Sequence, residues 1–420
     1  MAWPAGLRAF RYRDFRLFWS GQLVSLVGTW MQSVGQSWVV LELTGSPFKL
    51  GTITALQFGP MLFLSFLSGA LADRVRKRRL LLLTQSALML QAFALAALAW
   101  TGHIQYWNIA VLAAVYGVAN TLDLPARQSF VVQIVGRNDL INAIALNSAV
   151  FNGARVVGPA VAGLLVARYG VAIAFLMNGL SFLGVIAALF AIHNEGKPRP
   201  RSGDSLAQEI LQGLGYAWAT PLIVLILAYM LVTSLFVVNF GVVVPLVARD
   251  VLHEGAHGFG LLMTCLGVGA VVGSAALALM GRGRAPVWLL AGAALVDAVG
   301  LVVVGLSRRF GVDCALLAVM GFAMIVFMAS SNTTLQVTVP DALRGRLMGL
   351  YAFVFVGMNP FGALFIGAVA EKWGVPAACL AGGGLGAACL LALTLLWGRR
   401  ASEPPPVTET DPGLVPPPRV

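Results

Sequence analysis

The chain has 420 residues, of which 59% are hydrophobic and only 11% charged, with a formal net charge of +11. Soluble domains are typically about a quarter charged, so at a mean hydropathy of +0.85 the composition excludes a water-soluble domain and reads as an all-α integral membrane protein. The positive charge invites a nucleic-acid partner, but the placement of the bases, taken up below, argues against one.

A basic arm (Arg8, Arg11, Arg13, Arg16) leads into the first of twelve apolar runs, at 17–42, 48–72, 80–101, 107–124, 140–167, 171–192, 221–248, 259–280, 286–306, 314–335, 347–369 and 376–397. Runs of about 18 or more apolar residues are long enough to cross a hydrocarbon core as helices, and the period-two alternation of a β-barrel is absent. The first run is too long for a signal peptide and lacks a small-residue cleavage site, so it is expected to be retained. Within it Gln22, Ser25, Thr29, Gln32 and Gln36 recur at helical spacing and share one face, which must look toward protein or water. Helix–helix hydrogen bonding, helped by Gly21, Gly28 and Gly35, is one reading, and the wall of a polar cavity is the other.

Between the second and third runs the stretch S-G-A-L-A-D-R-V-R-K-R-R-L-L-L packs one acid and five bases into Asp73–Arg79. The fourth run carries Tyr116, Asn120 and Asp123, then Arg127 one turn further on. Asp123 lies near the predicted end of that run. There it would form a latch with Arg127 and the Asp73/Arg74 loop, serve as a proton site, or be a solvated helix end. Arg155 lies about a dozen residues into the fifth run, near mid-membrane, where an unpaired Arg costs about 2.5–3.5 kcal/mol on insertion scales. Carbonyls near Pro159, the polar side chains of Asn147, Ser148 and Asn152, or an anionic substrate would compensate it.

Residues 193–220 open polar and Pro-rich and turn amphipathic, predicting a cytoplasmic linker with a surface helix from about Ser205. The linker divides an N-terminal bundle, 1–192, from a C-terminal one, 221–398, and the Pro-rich tail 399–420 is expected to be disordered. The second half is less polar, with Thr233, Ser234 and Asn239 in the seventh run. Met324, Phe327, Met328 and Ser331 in the tenth supply either packing or an adaptable apolar wall. Asp297, in the ninth run, is the one acid near mid-membrane, with a packing role or proton coupling as its two readings. The four cysteines fall in apolar runs, and no zinc spacing, phosphate loop or nucleophile elbow is present, so no enzyme, metal or cofactor is expected.

With an even number of spans both termini share a side, and that side collects 21 of the 28 bases against six on the other, Arg155 lying between. The excess marks the first side, which holds the charge knot, as cytoplasmic. At an offset of 204 residues Gly153, Gly158, Gly163 and Gly170 fall on Gly357, Gly362, Gly367 and Gly374, and Arg155 falls on Asn359. An internal repeat of this kind predicts two six-helix bundles related by a pseudo-two-fold along the membrane normal.

The knot resembles the loop between the second and third helices of major facilitator transporters, Gly-x-Leu-Ala-Asp-Arg-x-Gly-Arg-Arg. Gly69, Leu71, Ala72, Asp73, Arg74 and Arg78 match, and Arg76 and Lys77 depart from it. F-R-Y-R-D-F-R-L-F-W-S-G-Q, L-E-L-T-G-S-P, D-L-P-A-R-Q-S-F-V and N-G-A-R-V-V-G-P-A-V-A-G are similar to the branch containing the enterobactin exporters and related efflux proteins. The resemblance implies a proton-coupled secondary transporter of the bacterial inner membrane, working as a monomer, that exports a small organic molecule of the drug or siderophore class. An importer of the same fold, or a scaffold that has lost transport, remain alternatives. It also implies a cytoplasmic gate at Gly69, Asp73, Arg74 and Arg78 with partners Asp123 and Arg127, and a helix-5 motif of Asn152, Arg155, Gly158, Pro159 and Gly163. The cavity would be lined by Gln22, Ser25, Thr29, Gln32, Gln36, Tyr116, Asn120, Asn239 and Asn359, with Asp123 or Asp297 carrying the proton.

Overall fold

The computed structural model describes residues 4–136, 138–197, 214–280 and 283–402. Among them there is no strand, and the chain forms twelve long helical stretches. They are α1 (Arg13–Thr44), α2 (Pro47–Arg74), α3 (Lys77–Trp100), α4 (Tyr106–Val135), α5 (Leu140–Tyr169), α6 (Val171–Ala191) and α7 (Pro221–Val251). They continue as α8 (Ala256–Met280), α9 (Val287–Leu306), α10 (Phe310–Thr338), α11 (Asp341–Gly357 followed by Asn359–Trp373) and α12 (Val375–Ser402). Ten are long and apolar enough to cross a membrane. The other two, α1 and α2, run to 32 and 28 residues; α1 is diluted by the polar positions of its stripe, while α2 is apolar and uncharged over 50–67. Exposed side chains such as Leu279, Leu395 and Trp288 are those a hydrocarbon solvent would cover.

Helices α1–α6 pack on one another, as do α7–α12, and the two groups meet along α5–α8 and α2–α11. The glycine repeat is the physical basis of that arrangement. A Cβ on Gly158 would run into α1 at Trp30 and Val27, and one on its repeat mate Gly362 would run into α7 at Ser234, Leu235 and Asn239. Gly163 lies against Gly260 of α8, and Gly367 against Pro47 and Phe48 of α2. Gly170 and Gly374 end their helices in the same backbone conformation, φ 78°, ψ 173° and φ 85°, ψ 165°, a region open essentially to glycine alone. The same element is thus used twice, each time wedged between its own bundle and the other one.

The glycines also report how the halves sit. At the end of the bundle away from the charge knot Gly51, Gly163, Gly260 and Gly367 are in close backbone contact across the halves, whereas toward the knot end Gly153, Gly345 and Gly349 meet nothing within 4 Å. Phe63 and Leu67 on α2 and Ile144 and Phe151 on α5 are exposed on the knot side. The two halves are closed at one end and parted at the other.

Four features differ from the sequence reading. First, α4 continues twelve residues past Asp123 to Val135, because Pro125 sits within the helix without ending it, so Asp123 is not at a hydrated helix end. Second, α7 is interrupted: π-type turns at Thr233–Val237 are followed by Val238 and Asn239 outside helical geometry, at ψ 47° and 42°. Third, α11 breaks at Met358, at a similar level. Fourth, the knot is mostly helix, since α2 runs to Arg74 and α3 begins at Lys77, leaving Val75 and Arg76 between them. Residues 214–219 are helical. The rest of the predicted linker helix, and the tail beyond Ser402, lie outside the described residues.

Candidate transport pathway and gates

The charge knot folds back onto its own bundle. Lys77 is fully buried, and its Nζ donates to the Lys197 carbonyl at 2.9 Å while its backbone N–H donates to Gly196 at 2.9 Å. Arg76 pairs with Glu195 at 2.7 Å, and Arg78 donates to the Phe190 carbonyl at the end of α6 at 3.0 Å. The knot's bases therefore cap α6 and hold the start of the linker. Gly69 has open space around it and Arg74 is exposed. The Asp73 side chain lies outside the described ones.

Asp123 is fully buried and its carboxylate is saturated. It accepts from Thr84 Oγ1 at 2.7 Å and Gln85 Nε2 at 2.8 Å on α3, and from both Nε and Nη2 of Arg127. Arg127 Nη1 continues to Gln22 Oε1 on α1 at 2.7 Å. The pair thus ties α4 to α3 and α1. The Asp123–Arg127 part of the expected latch is present, and the described partners of Asp123 lie inside the N-terminal bundle. A buried ion pair with every oxygen satisfied is the arrangement that low dielectric tolerates.

The polar face of α1 also turns inward. Gln32 donates to Gln91 of α3 at 3.0 Å and accepts from Asn178 of α6 at 2.8 Å. Gly21, Gly28 and Gly35 lie against α6, and Gln22, Ser25, Gln32 and Gln36 are all buried. Thr29 is half-buried and returns its hydroxyl to the Ser25 carbonyl at 2.9 Å. The cavity-wall expectation for this stripe gives way to helix–helix bonding at Gln32. Its neighbours Leu26, Trp30, Ser33 and Ser37 are part-exposed, and Ser37 reaches the Gly241 carbonyl of the other half at 3.5 Å. Tyr116 packs with Leu88, Ala92 and Phe182 in the same bundle, and Asn120 is half-buried beside it.

Arg155 occupies the seam between halves. Its guanidinium lies 5.8 Å from the Trp30 ring and Nη2 is 3.6 Å from Met324 Sδ on α10, while Nε has no hydrogen-bond partner. Gly267 of α8 lies against the Arg155 backbone carbonyl. On α9, Asp297 is buried, with Oδ1 unpartnered and the Arg155 charge within electrostatic reach, although the two form no direct ion pair. Gly300 of α9 faces Met320 of α10, which places Met324 at the level of Asp297. Asn152 donates to Ser148 at 3.0 Å, with its carbonyl oxygen unpartnered.

At the break in α7, Asn239 Nδ2 donates to the carbonyls of Ser234 and Leu235 at 3.2 and 3.3 Å, and Asn359 Nδ2 reaches Val238 at 3.5 Å. Two of the polar residues expected to line a cavity thus satisfy backbone groups that the break releases, as an interrupted helix in lipid requires. Ser234 donates to the Phe355 carbonyl of α11 at 2.6 Å, joining the two breaks.

The closed end is built from residues that sequence reading passed over. Glu371 Oε2 accepts from Ser46 Oγ at 2.8 Å and from the Phe48 N–H at 3.2 Å. Arg249 donates to the Leu41 and Gly45 carbonyls at 2.9 and 3.2 Å, its guanidinium fixed by Asp250. Trp38 stacks on Phe259 across the halves at 6.2 Å. The stretch L-E-L-T-G-S-P carries a family resemblance, but nothing in it names the distant partners. No group of three metal-binding side chains comes together among the described residues.

The profile of the transmembrane secretion effector family matches residues 5–411. The multidrug efflux pump Tap of Mycolicibacterium fortuitum is 25% identical over 368 residues, covering 86% of this chain and 90% of that protein. The staphyloferrin A transporter of Staphylococcus aureus is 23% identical, with 86% and 90% covered, and the enterobactin exporter EntS of Shigella flexneri 25%, with 94% and 95% covered. Among solved structures, the POT family transporter PepTSo superposes with a TM-score of 0.73 at 12% identity, covering 96% of this chain and 99% of its own. A D-xylose–proton symporter superposes at 0.68 and 13% identity, covering 90% and 97%.

Proposed function

The chain belongs to the transmembrane secretion effector family of the major facilitator superfamily, a multi-pass membrane transporter and not an enzyme, and from that premise we propose that it exports a small organic molecule by alternating access. The observation that carries the reading is the asymmetry of the seam, closed by glycine-mediated contacts at one end and parted at the other. A single-file channel or a scaffold needs no such seam, whereas a pump that rocks two bundles does. With the knot end in the cytoplasm, as the distribution of bases favours, the state described is inward-facing and both termini are cytoplasmic.

The substrate belongs to the drug or siderophore class, in keeping with what the efflux pump and the siderophore transporters are named for. Proton exchange supplies the energy, and the Arg155–Met324–Asp297 alignment is where it couples to the rocking motion. Arg155 stands on one half and Asp297 on the other, so relative motion of the halves changes the charge compensation of both. Asp123 is the weaker candidate, because all its described partners belong to one half.

The test is loss and overexpression of the gene against a toxic-compound panel, followed by proteoliposomes with an imposed pH gradient. Increased accumulation on loss, with substrate-dependent proton flux, is the expected result. Decreased accumulation supports an importer instead, and no flux over a broad panel supports a scaffold. Arg155→Ala and Asp297→Asn are expected to insert normally and to lose coupled transport at least tenfold; parent rates in both would remove the coupling role.

A further inference from the structure

The outer end of the protein is held shut by helix caps supplied in trans. The N-terminus of α2 leaves backbone N–H groups without intrahelical partners, and the C-terminus of α1 leaves carbonyls in the same condition. Ser46 covers one N–H by accepting from Lys49 at 3.2 Å. The same hydroxyl then donates to Glu371, which also takes the Phe48 N–H, so an acid from the other half completes the cap. Just before it in the chain, Arg249 of the other half donates to the carbonyl of Gly45, the residue that caps α1, and adds a second donor to the Leu41 carbonyl, which also takes the Gly45 N–H. An acid at the N-terminus and a base at the C-terminus are the signs that helix dipoles favour.

The segments that supply these caps are set apart mechanically. Arg249 lies beyond the break at Val238–Asn239, and Glu371 beyond the break at Met358. The two breaks are joined through Ser234 and Asn359. At the repeat-equivalent positions, 34–35 and 154, α1 and α5 run through without interruption. One half therefore presents continuous helices, and the other presents paired outer segments, residues 240–251 and 359–373, on a common flexible level.

We propose that these two segments form a hinged outer gate, latched closed by Glu371 on α2 and Arg249 on α1, so that Glu371, Arg249 and Ser46 are positioning residues for transport. Opening outward breaks the two caps and bends α7 and α11 at their breaks, in addition to any rigid rocking. The inference rests on the alternating-access reading, but its test does not need the substrate.

A thiol placed below the latch by Ser37→Cys reports opening, since Ser37 faces the gate segment at Gly241. In membranes of known sidedness, a bilayer-impermeant maleimide is applied from outside, and mass mapping separates position 37 from Cys265, Cys314, Cys379 and Cys389. Labelling is expected to be slow in the Ser37→Cys protein and roughly tenfold faster with Glu371→Gln or Arg249→Met added, the size of a typical conformational coupling. Lys372→Gln, which removes the neighbouring exposed charge without touching either cap, should leave the rate unchanged. Equal labelling in the two latch variants and their parent, or fast labelling in the parent itself, overturns the gate. Faster labelling in variants that export none of the panel compounds upholds the gate and counts against the exporter reading instead.

Discussion

Asp123 shows how far single residues can be read ahead of a structure. Its helical spacing with Arg127 announced a pair, and the pair exists, but its other partners, Thr84, Gln85 and Gln22, come from two other helices. Asp123→Asn would leave Arg127 facing a neutral amide in a site from which water is largely excluded. Removing one member of a fully buried pair costs about 3–5 kcal/mol; Arg127 can recover some hydration, which brings the expected loss to about 2 kcal/mol. Asp123→Asn combined with Arg127→Met should recover more than half of that loss, as apolar replacement of both charges removes the unpaired one. Thermal unfolding of the purified protein in detergent checks it, and equal losses in single and double variants would show the pair is not the cause. Glu371 and Arg249 were not legible in the same way. They bond to backbone groups far away in sequence, and a cap given in trans leaves no spacing to read.

At the scale of helices the sequence carried more, because glycine spacing is both the pattern and the cause. The repeat at an offset of 204 predicted that helices 5 and 11 are one element used twice, and equivalent glycines do occupy equivalent crossings. The breaks in α7 and α11 fall at Asn239 and at the Asn359–Pro360 step, single polar or proline positions in otherwise apolar runs, and hydropathy reports burial without reporting backbone hydrogen bonding. The α1 stripe was half legible: its helical period was clear, but period alone does not say whether a polar face meets water or another helix. The α8–α10 crossing offers a test of the close-approach argument. A Cβ on Gly321 would overlap the Leu266 carbonyl, whereas Gly292 has nothing within 4 Å. Gly321→Val is expected to lose monodisperse protein in size-exclusion chromatography, since overpacking against backbone costs about 1–3 kcal/mol or more. Gly292→Ala should elute as the parent does; similar losses in both would mean that glycine acts through backbone freedom and not through space.

For the molecule as a whole, the two halves share a fold but divide the labour unequally. The N-terminal half is cross-linked by polar networks, Asp123–Arg127–Gln22 and Gln91–Gln32–Asn178, that resist deformation because any separation strands buried polar groups. The C-terminal half has interrupted helices and apolar contacts, which can slide at less cost. Such a pairing of a stiff bundle with a yielding one would concentrate motion at the seam, whose closed end is built from caps, glycines and the Trp38–Phe259 stack. If transport requires that closure to open in every cycle, tying it shut must stop the pump without unfolding it. Cysteines introduced by Ser46→Cys and Glu371→Cys stand where a 2.8 Å hydrogen bond now joins the halves, within reach of a short cleavable bis-thiol reagent. Joining the two thiols should arrest export of any compound the parent moves. Cleaving the linker should return export to the level of the unlinked double variant. Export that continues while cross-linking is complete would mean that substrate passes without the outer end opening, and rocking between two bundles would no longer describe this protein.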